Sequence, residues 1–455
     1  MTRRSLLLAL GAGLASPPRA ASTPEETALR GKGRLIVHSP RPLDLETPPA
    51  LLDDWITPLR RFFVRNHFYI PSIEAGRWRL SVEGLVEKPF HLTLGELGRM
   101  PQVERVATME CAGNGRSYFT PRVAGIQWRK GAVGTARWKG VRLRDVLARA
   151  GLKPQASHIA FDGADTGMAT APDFIRSVPV EKCLHPDTLL ATHMNGVPLP
   201  LEHGFPARII TPGWEGAAAV KWLIRMTAIP EEFDGFFMKT AYRYPTRPVA
   251  PGEAVDAKDM AALTSLTVKT LITRASGPVA GAAWAGEADI VRVEVSTDGG
   301  GSWQEAKLGT DKAPFAWRRF QHDWTALQPV PKHRAQRTKP AGPFTVMARA
   351  TDSLGRRQPS SPAWNPSGYL HNIPDSARAE EAEKREGPPA ELPPGEGRAL
   401  AQERCLACHD RTLIVAQRLD PGRWTREVEK MIRWGTPLSE PEKATLTRYL
   451  AEHFR

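Results

Sequence analysis

The chain is short of cysteine and has no long apolar run. Only four cysteines occur in 455 residues: Cys111, Cys183, Cys405 and Cys408. No stretch reaches the roughly 20 consecutive apolar residues of a membrane-spanning helix, which excludes a membrane span. Basic residues outnumber acidic ones, 62 to 49, for a net charge of +13. No Lys/Arg run of the length of a nucleic-acid tail accompanies that excess, and no nucleic-acid module does either, so nucleic acid is excluded as a partner. The charge is read as solvated surface plus a field that draws anions into a cleft. The remaining composition, 41% hydrophobic and 24% charged, is that of an ordinary globular protein long enough for two or three domains.

At the N-terminus, Thr2-Arg3-Arg4-Ser5 precedes an apolar segment to Leu14 and small residues around Ala20-Ala21. A twin arginine before a short apolar core reads as a bacterial twin-arginine signal over residues 1–22, with a periplasmic mature protein. Such export carries proteins already folded around a cofactor. Near the other end, Cys405-Leu406-Ala407-Cys408-His409 has the C-x-x-C-H spacing of covalent haem c attachment, two thioethers and an axial imidazole. Met431 is the sole methionine beyond His409 and the natural sixth iron ligand, with His453 the alternative. Cys183 is left as a buried apolar thiol.

The stretch that organises the rest is Glu104 to Ser117. Val106, Ala107 and Met109 read as the end of a buried strand that stops at Cys111, followed by Gly113, Asn114 and Gly115. A thiol on such a turn, with Arg116 near enough to favour thiolate, can bind a soft metal, act as a nucleophile, or be a buried structural cysteine. The residues alone leave these open.

Five segments in order narrow the choice. They are Phe63-Val64-Arg65-Asn66-His67, Met109 to Ser117, Gly131 to Trp138, His203 to Arg208, and Val220-Lys221-Trp222-Leu223. Together they resemble the sulfite oxidase family of molybdenum enzymes over roughly residues 50 to 372. The resemblance implies that Cys111 ligates molybdenum held by a pterin dithiolene. It also implies that Asn66, His67 and Asp165 contact the pterin, and that Arg65, Arg116, Trp128 and Tyr242 form the substrate site. His203, Arg208 and Lys221 read as a cradle for a terminal phosphate, since guanidinium binds phosphate through two hydrogen bonds at once. Ala217-Ala218-Ala219 replaces a basic residue common in the family. At Trp364-Asn365-Pro366-Ser367-Gly368 the substrate-site arginine of the vertebrate enzymes is missing.

The expected fold class is an α+β molybdopterin-binding domain over residues 23–255, an all-β immunoglobulin-like dimerisation domain over 256–375, a linker over 376–397, and a small all-α cytochrome c domain over 398–455. Residues 23–50 read as an extended arm, Arg60 to Tyr69 as an edge strand, and Leu143 to Ala150 as a helix. Short alternating strands from about Thr264, such as Ile290 to Ser296, argue the sandwich. Leu400 to His409, Trp424 to Trp434 and Glu440 to His453 read as three helices. The expected function is periplasmic, molybdenum-dependent oxidation of sulfite or a related sulfur oxyanion. Electrons pass to the fused haem and on to a soluble cytochrome c or terminal oxidase, within a homodimer. The alternatives are a sulfane dehydrogenase of a thiosulfate-oxidising complex and, in another class, a non-enzymatic electron-transfer protein.

Overall fold

The computed structural model describes residues 23–324, 345–378 and 391–455. The expected leader and most of the expected linker lie outside the described residues. Among those described, no helix is long and apolar enough to cross a membrane.

The first domain is built from two five-stranded sheets. In one, strand Gln102–Glu110 pairs antiparallel with Val133–Arg142 along its whole length, and Leu189–Met194 follows, itself paired with Val197–Pro198 and Arg208–Ile210. In the other, the order is Phe90–Thr93, Arg79–Gly84, Leu223–Ile229, His158–Gly163, Arg176–Pro179, with one parallel pair at its centre. The amphipathic helix Leu143–Ala150 places Leu143, Val146, Leu147 and Ala150 in the core shared with the second sheet. The second domain is a sandwich of two four-stranded antiparallel sheets, Lys269–Arg274 and Ile290–Ser296 lying in opposite layers around a core of Val279, Val293, Val295 and Val346.

Residues 23–50 are not an extended arm. Thr23 and Glu26 form a capping box that starts a helix over Pro24–Gly31, and Ile36–Pro40 pairs with Leu43–Glu46 as a hairpin. Ala28, Leu35, Leu43 and Leu45 bury themselves against Val64 and Trp222. Arg60 to Tyr69 is not a strand either. A 3-10 turn occupies Leu59–Arg61, and a single bridge joins Leu45 to Val64. Polar side chains there satisfy the backbone in place of a ladder: Asp44 Oδ1 accepts from the Asn66 amide at 3.1 Å. The linker also begins later than expected, because Asp375–Arg378 is a strand of the sandwich paired with Thr345–Asp352.

The C-terminal unit is all helical. Arg398–Leu400 runs into a wide turn over Ala401–Cys405, so the helix expected to reach His409 ends at Cys405. Pro421–Arg433 starts at the side-chain cap of Asp420, and Glu440–His453 starts at a Ser439–Glu442 capping box. Trp424, Val428, Leu446 and Leu450 close its small core.

Candidate functional site

Strand Gln102–Glu110 delivers Cys111 to the wall of a cavity. The same cavity is lined by Arg65, Asn66, His67, Asp165, His203, Arg208, Lys221 and Tyr242. Nine of the residues singled out in the sequence, drawn from six separate segments, thus share one enclosure. Among the described residues no group of three or more His, Cys, Asp or Glu side chains could hold a metal. A metal bound at the lone Cys111 thiol therefore has to bring ligands of its own, as a pterin dithiolene does.

The cysteine turn is braced from behind. Glu110, fully buried, takes a 2.6 Å ion pair from Lys269 and a 2.8 Å hydrogen bond from the Trp284 indole, both from the second domain, and 2.9 Å from Asn114 Nδ2. Asn114 in turn donates its amide to the Cys111 carbonyl at 2.8 Å and accepts from Ala132. Gly113 is needed for a specific reason: a Cβ there would stand 2.7 Å from the Arg116 guanidinium, which fills the space beside the turn. Burial pushes the Cys111 thiol up, against the pull of Arg65, the Gly113 amide and Arg116. The expected thiolate is therefore not the state of the free side chain; a coordinated metal would be what deprotonates it.

Arg208 and Lys221, in the same lining, make no ion pair among the described residues. Arg208 donates to the His203 carbonyl at 3.0 Å, the Ala219 carbonyl at 2.8 Å and the Met109 sulfur at 3.4 Å, all neutral, and its buried Nε has no partner among the described residues. Burial pulls its guanidinium down to about 9. Lys221, reaching Asn66 Oδ1 and the Glu202 carbonyl, is held well below the usual lysine value by burial and by Arg208, with Asp165 and Asp44 opposing. Asn66 Nδ2 is buried and unpartnered among the described residues. A buried, unpaired cation costs several kcal/mol. The set is therefore poised for an anion, and it fits a phosphate-bearing pterin whose head accepts from Asn66. Asp165 supports that fit: burial raises it to about 7, against Lys221.

On the inner side, His67 Nε2 lies 2.6 Å from the Tyr242 hydroxyl and stacks on Phe174 at 4.0 Å. Burial, followed by Arg65, Lys221 and Arg176, keeps His67 neutral. Tyr242 and Trp222 both sit in the left-handed region, at φ 58° and 51°, backbone strain that bulky residues hold only where packing over-determines them. Arg65 stays charged against burial because Asp44 lies 3.4 Å away. Two expected substrate residues do not line the cavity. Arg116 bonds the Ile126 and Ser367 carbonyls and lies 5.1 Å over Tyr369, whose ring stacks on Tyr242. Trp128 is fully buried beside His38.

Sequence reasoning missed Asp44, Glu110 and Lys269. The signal was present for the acids, since Asp44 interrupts Leu43 and Leu45, and Glu110 stands inside the apolar run that ends at Cys111. Lys269 had no local signal, because its partner is 159 residues away.

The C-terminal unit is docked beside this cavity. Gln417 accepts from the Gly125 amide at 3.3 Å and donates to its carbonyl at 3.0 Å, and Thr170 donates to the Arg433 carbonyl at 3.0 Å. Tyr69, two residues from the cavity-lining His67, donates to the Cys408 carbonyl at 3.3 Å. Trp434, Phe236, Phe237 and His67 form a line of rings with successive centroids 5.3, 5.1 and 5.0 Å apart. Cys405 and Cys408 are free and half-buried. His409 Nδ1 is 3.2 Å from the Asp410 carbonyl, which leaves Nε2 for a ligand. Met431 sits in the last turn of Pro421–Arg433, and the exposed His453 packs on Tyr449.

Residues 67–237 match the oxidoreductase molybdopterin binding domain, and residues 261–374 match the Mo-co oxidoreductase dimerisation domain, a match that supports a homodimer. Over 381 residues the chain is 36% identical to sulfite oxidase of Gallus gallus, covering 78% of this chain and 79% of that protein. The chain belongs to the sulfite oxidase family. Mitochondrial sulfite oxidase of Homo sapiens is 38% identical over 362 residues, 74% of this chain, and the chain spans 64% of that protein's length. Among solved structures of the fold, the sulfane dehydrogenase SoxCD from Paracoccus pantotrophus superimposes with a TM-score of 0.63 at 28% identity. That match covers 82% of this chain and 92% of the other. A molybdopterin cofactor accords with the family and with the donor set around Cys111.

Proposed function

We propose that this sulfite oxidase family member is a molybdenum-dependent sulfite dehydrogenase. It works in the periplasm after twin-arginine export and hands its electrons to a haem c on its own C-terminal unit. The observation that carries this proposal is the meeting of the Cys111 thiol, the Arg65 guanidinium and the His67–Tyr242 pair in one cavity whose lining also holds Arg208 and Lys221. Sulfite and water become sulfate, two protons and two electrons. When bound, the molybdenum cofactor supplies the oxygen-transfer and redox chemistry.

The chain's own residues have separable tasks. Arg65, kept charged beside Asp44, draws in and holds the dianion. Tyr242, its phenol raised by burial with Arg65 opposing, stays protonated and offers a fixed hydrogen bond, and His67 holds the phenol in place. Phe174 and Phe237 pack against His67 and exclude water from that wall. Arg116 acts through Tyr369 rather than by touching substrate.

Electrons leave one at a time. Support for an internal acceptor comes from the C-x-x-C-H spacing, from the Tyr69 bond to Cys408, and from the ring line ending at Trp434. The haem would pass them to a soluble cytochrome c or terminal oxidase. Sulfite added anaerobically to the full chain, loaded with about one molybdenum, should form sulfate and reduce the haem bands. No sulfate in a loaded chain would overturn the substrate assignment. Oxidised haem beside continued turnover with an artificial acceptor would overturn the internal route.

A second reading is oxidation of protein-bound sulfane sulfur. The likeness to sulfane dehydrogenase SoxCD and the absence of an arginine from the segment Trp364 to Gly368 favour it. Turnover of a carrier-bound persulfide, with none of free sulfite, would select it.

A further inference from the structure

Lys32 caps the C-terminal end of the N-terminal helix Pro24–Gly31, yet its side chain turns inward and is only 3% exposed. Its ammonium lies 2.5 Å from the Leu59 carbonyl, 3.0 Å from the Phe62 carbonyl and 2.8 Å from His203 Nε2. A lysine ammonium has three hydrogens and no lone pair. His203 Nε2, 2.8 Å from a group that can only donate, must therefore present its lone pair to Lys32 rather than a proton. Burial lowers Lys32 to about 8, against Glu202 at 3.6 Å, which leaves it an ammonium at neutral pH. Burial first, then Lys32, Lys221 and Arg208, keeps His203 uncharged.

A neutral imidazole that accepts at Nε2 carries its single proton on Nδ1. The His203 ring lines the cavity, edge-on to Phe62 at 5.4 Å, and among the described residues no group accepts from Nδ1. We infer that Lys32 is a positioning residue that fixes His203 in its Nδ1-protonated form, so that the ring donates to the terminal phosphate of the molybdopterin cofactor beside Arg208. The inference rests on the assignment of His203 and Arg208 to that phosphate. Without Lys32 the proton is free to move to Nε2, where it would be donated away from the cofactor. The same ammonium ties the Leu59 and Phe62 carbonyls, so the cavity-lining segment beginning at Phe62 is anchored by the bond that sets the tautomer.

The test uses the full chain with its cofactor. Nitrogen-15 histidine labelling reads the tautomer directly, with the His203 signals assigned by their loss in His203→Gln. The parent should show a protonated Nδ1 and a bare Nε2. Lys32→Met should give mixed tautomers and release cofactor about tenfold faster on dialysis, followed as molybdenum and pterin per chain, a loss of about 1.4 kcal/mol. Lys32→Arg, which keeps charge and donors, should retain most of both readouts. A protonated Nε2 in the parent overturns the inference, and this needs no variant to fold. So does Lys32→Met with parental tautomer and parental cofactor release. Absence of sulfite turnover in the loaded parent, beside the expected Nδ1 proton and the expected Lys32→Met effects, would overturn the substrate assignment and not this inference.

Discussion

Cys111 and the Cys405–Cys408 pair sit in two very different places, while Cys183 is buried in the core of the first domain. Cys111 ends a nine-residue strand and lies in a preformed cavity, its turn braced by Glu110, Asn114 and two side chains of the second domain. Cys405 and Cys408 sit half-buried on an unwinding turn in a small helical unit, with few described bonds to fix them beyond Tyr69 on the Cys408 carbonyl. The difference teaches where the free energy of binding a cofactor would enter at each place. In the first domain the chain builds the hole in advance and stores the cost as unpaired Arg208 and Lys221, which an anionic cofactor relieves. In the helical unit a covalently attached haem would itself complete the core.

The largest effect expected on either side is that of Cys111→Ser. Turnover of sulfite should fall by at least about 10⁴, more than about 5 kcal/mol, while any haem spectrum stays unchanged. Normal turnover would erase the contrast between the two cysteine sites. Lys269→Met comes next, because it leaves Glu110 as a buried carboxylate without its ion pair, at a cost of about 3 kcal/mol. Calorimetry should show the melting of the first two domains fall together and the helical unit unaffected. A loss confined to the second domain would mean that the brace behind Cys111 is not shared.

Arg208→Met should weaken cofactor retention by about 2 kcal/mol, roughly thirtyfold, since one charge-assisted phosphate contact is lost. The cofactor-free form should respond in the opposite direction. Burial lowers the guanidinium from its usual value to about 9, so the folded empty chain bears the full penalty of the charge below pH 9 and is relieved of it as pH rises above about 9. Arg208→Met should therefore stabilise the empty chain at pH 7, and the pH-dependent gain above 9 should disappear. An empty variant less stable than the empty parent at pH 7 would show that Arg208 is not strained. The smallest effect is expected at Gln417→Ala, which strips the Gly125 amide and carbonyl of their partner and should loosen the docked unit by about 1 kcal/mol. Limited proteolysis between the domains and slower sulfite-driven haem reduction would both register it.

Much of this was legible in one dimension because its causes are local. The helix over Leu143–Ala150 and the strand over Ile290–Ser296 follow from periodicity, and the Ser439–Glu442 box marks where the last helix starts. Seven of the nine cavity residues belong to short motifs that keep their order along the chain, and Asp165 and Tyr242 lie outside those motifs. The family resemblance places Arg116 and Trp128 at the substrate, yet neither is among the residues that line the cavity. A motif records which residues travel together and not which of them faces inward.

What the sequence alone determined, then, is the set of reactive groups and the elements that carry them: a cysteine at the end of a strand, a paired arginine and histidine after an aromatic run, and a C-x-x-C-H turn near the C-terminus. Only the tertiary structure decided their states. That Lys32 from the first helix meets His203 and that Lys269 meets Glu110 depends on contacts 171 and 159 residues apart, which no local pattern encodes. Protonation and tautomer follow from those contacts because desolvation and pairing act through space, over a few ångströms, whatever the separation along the chain.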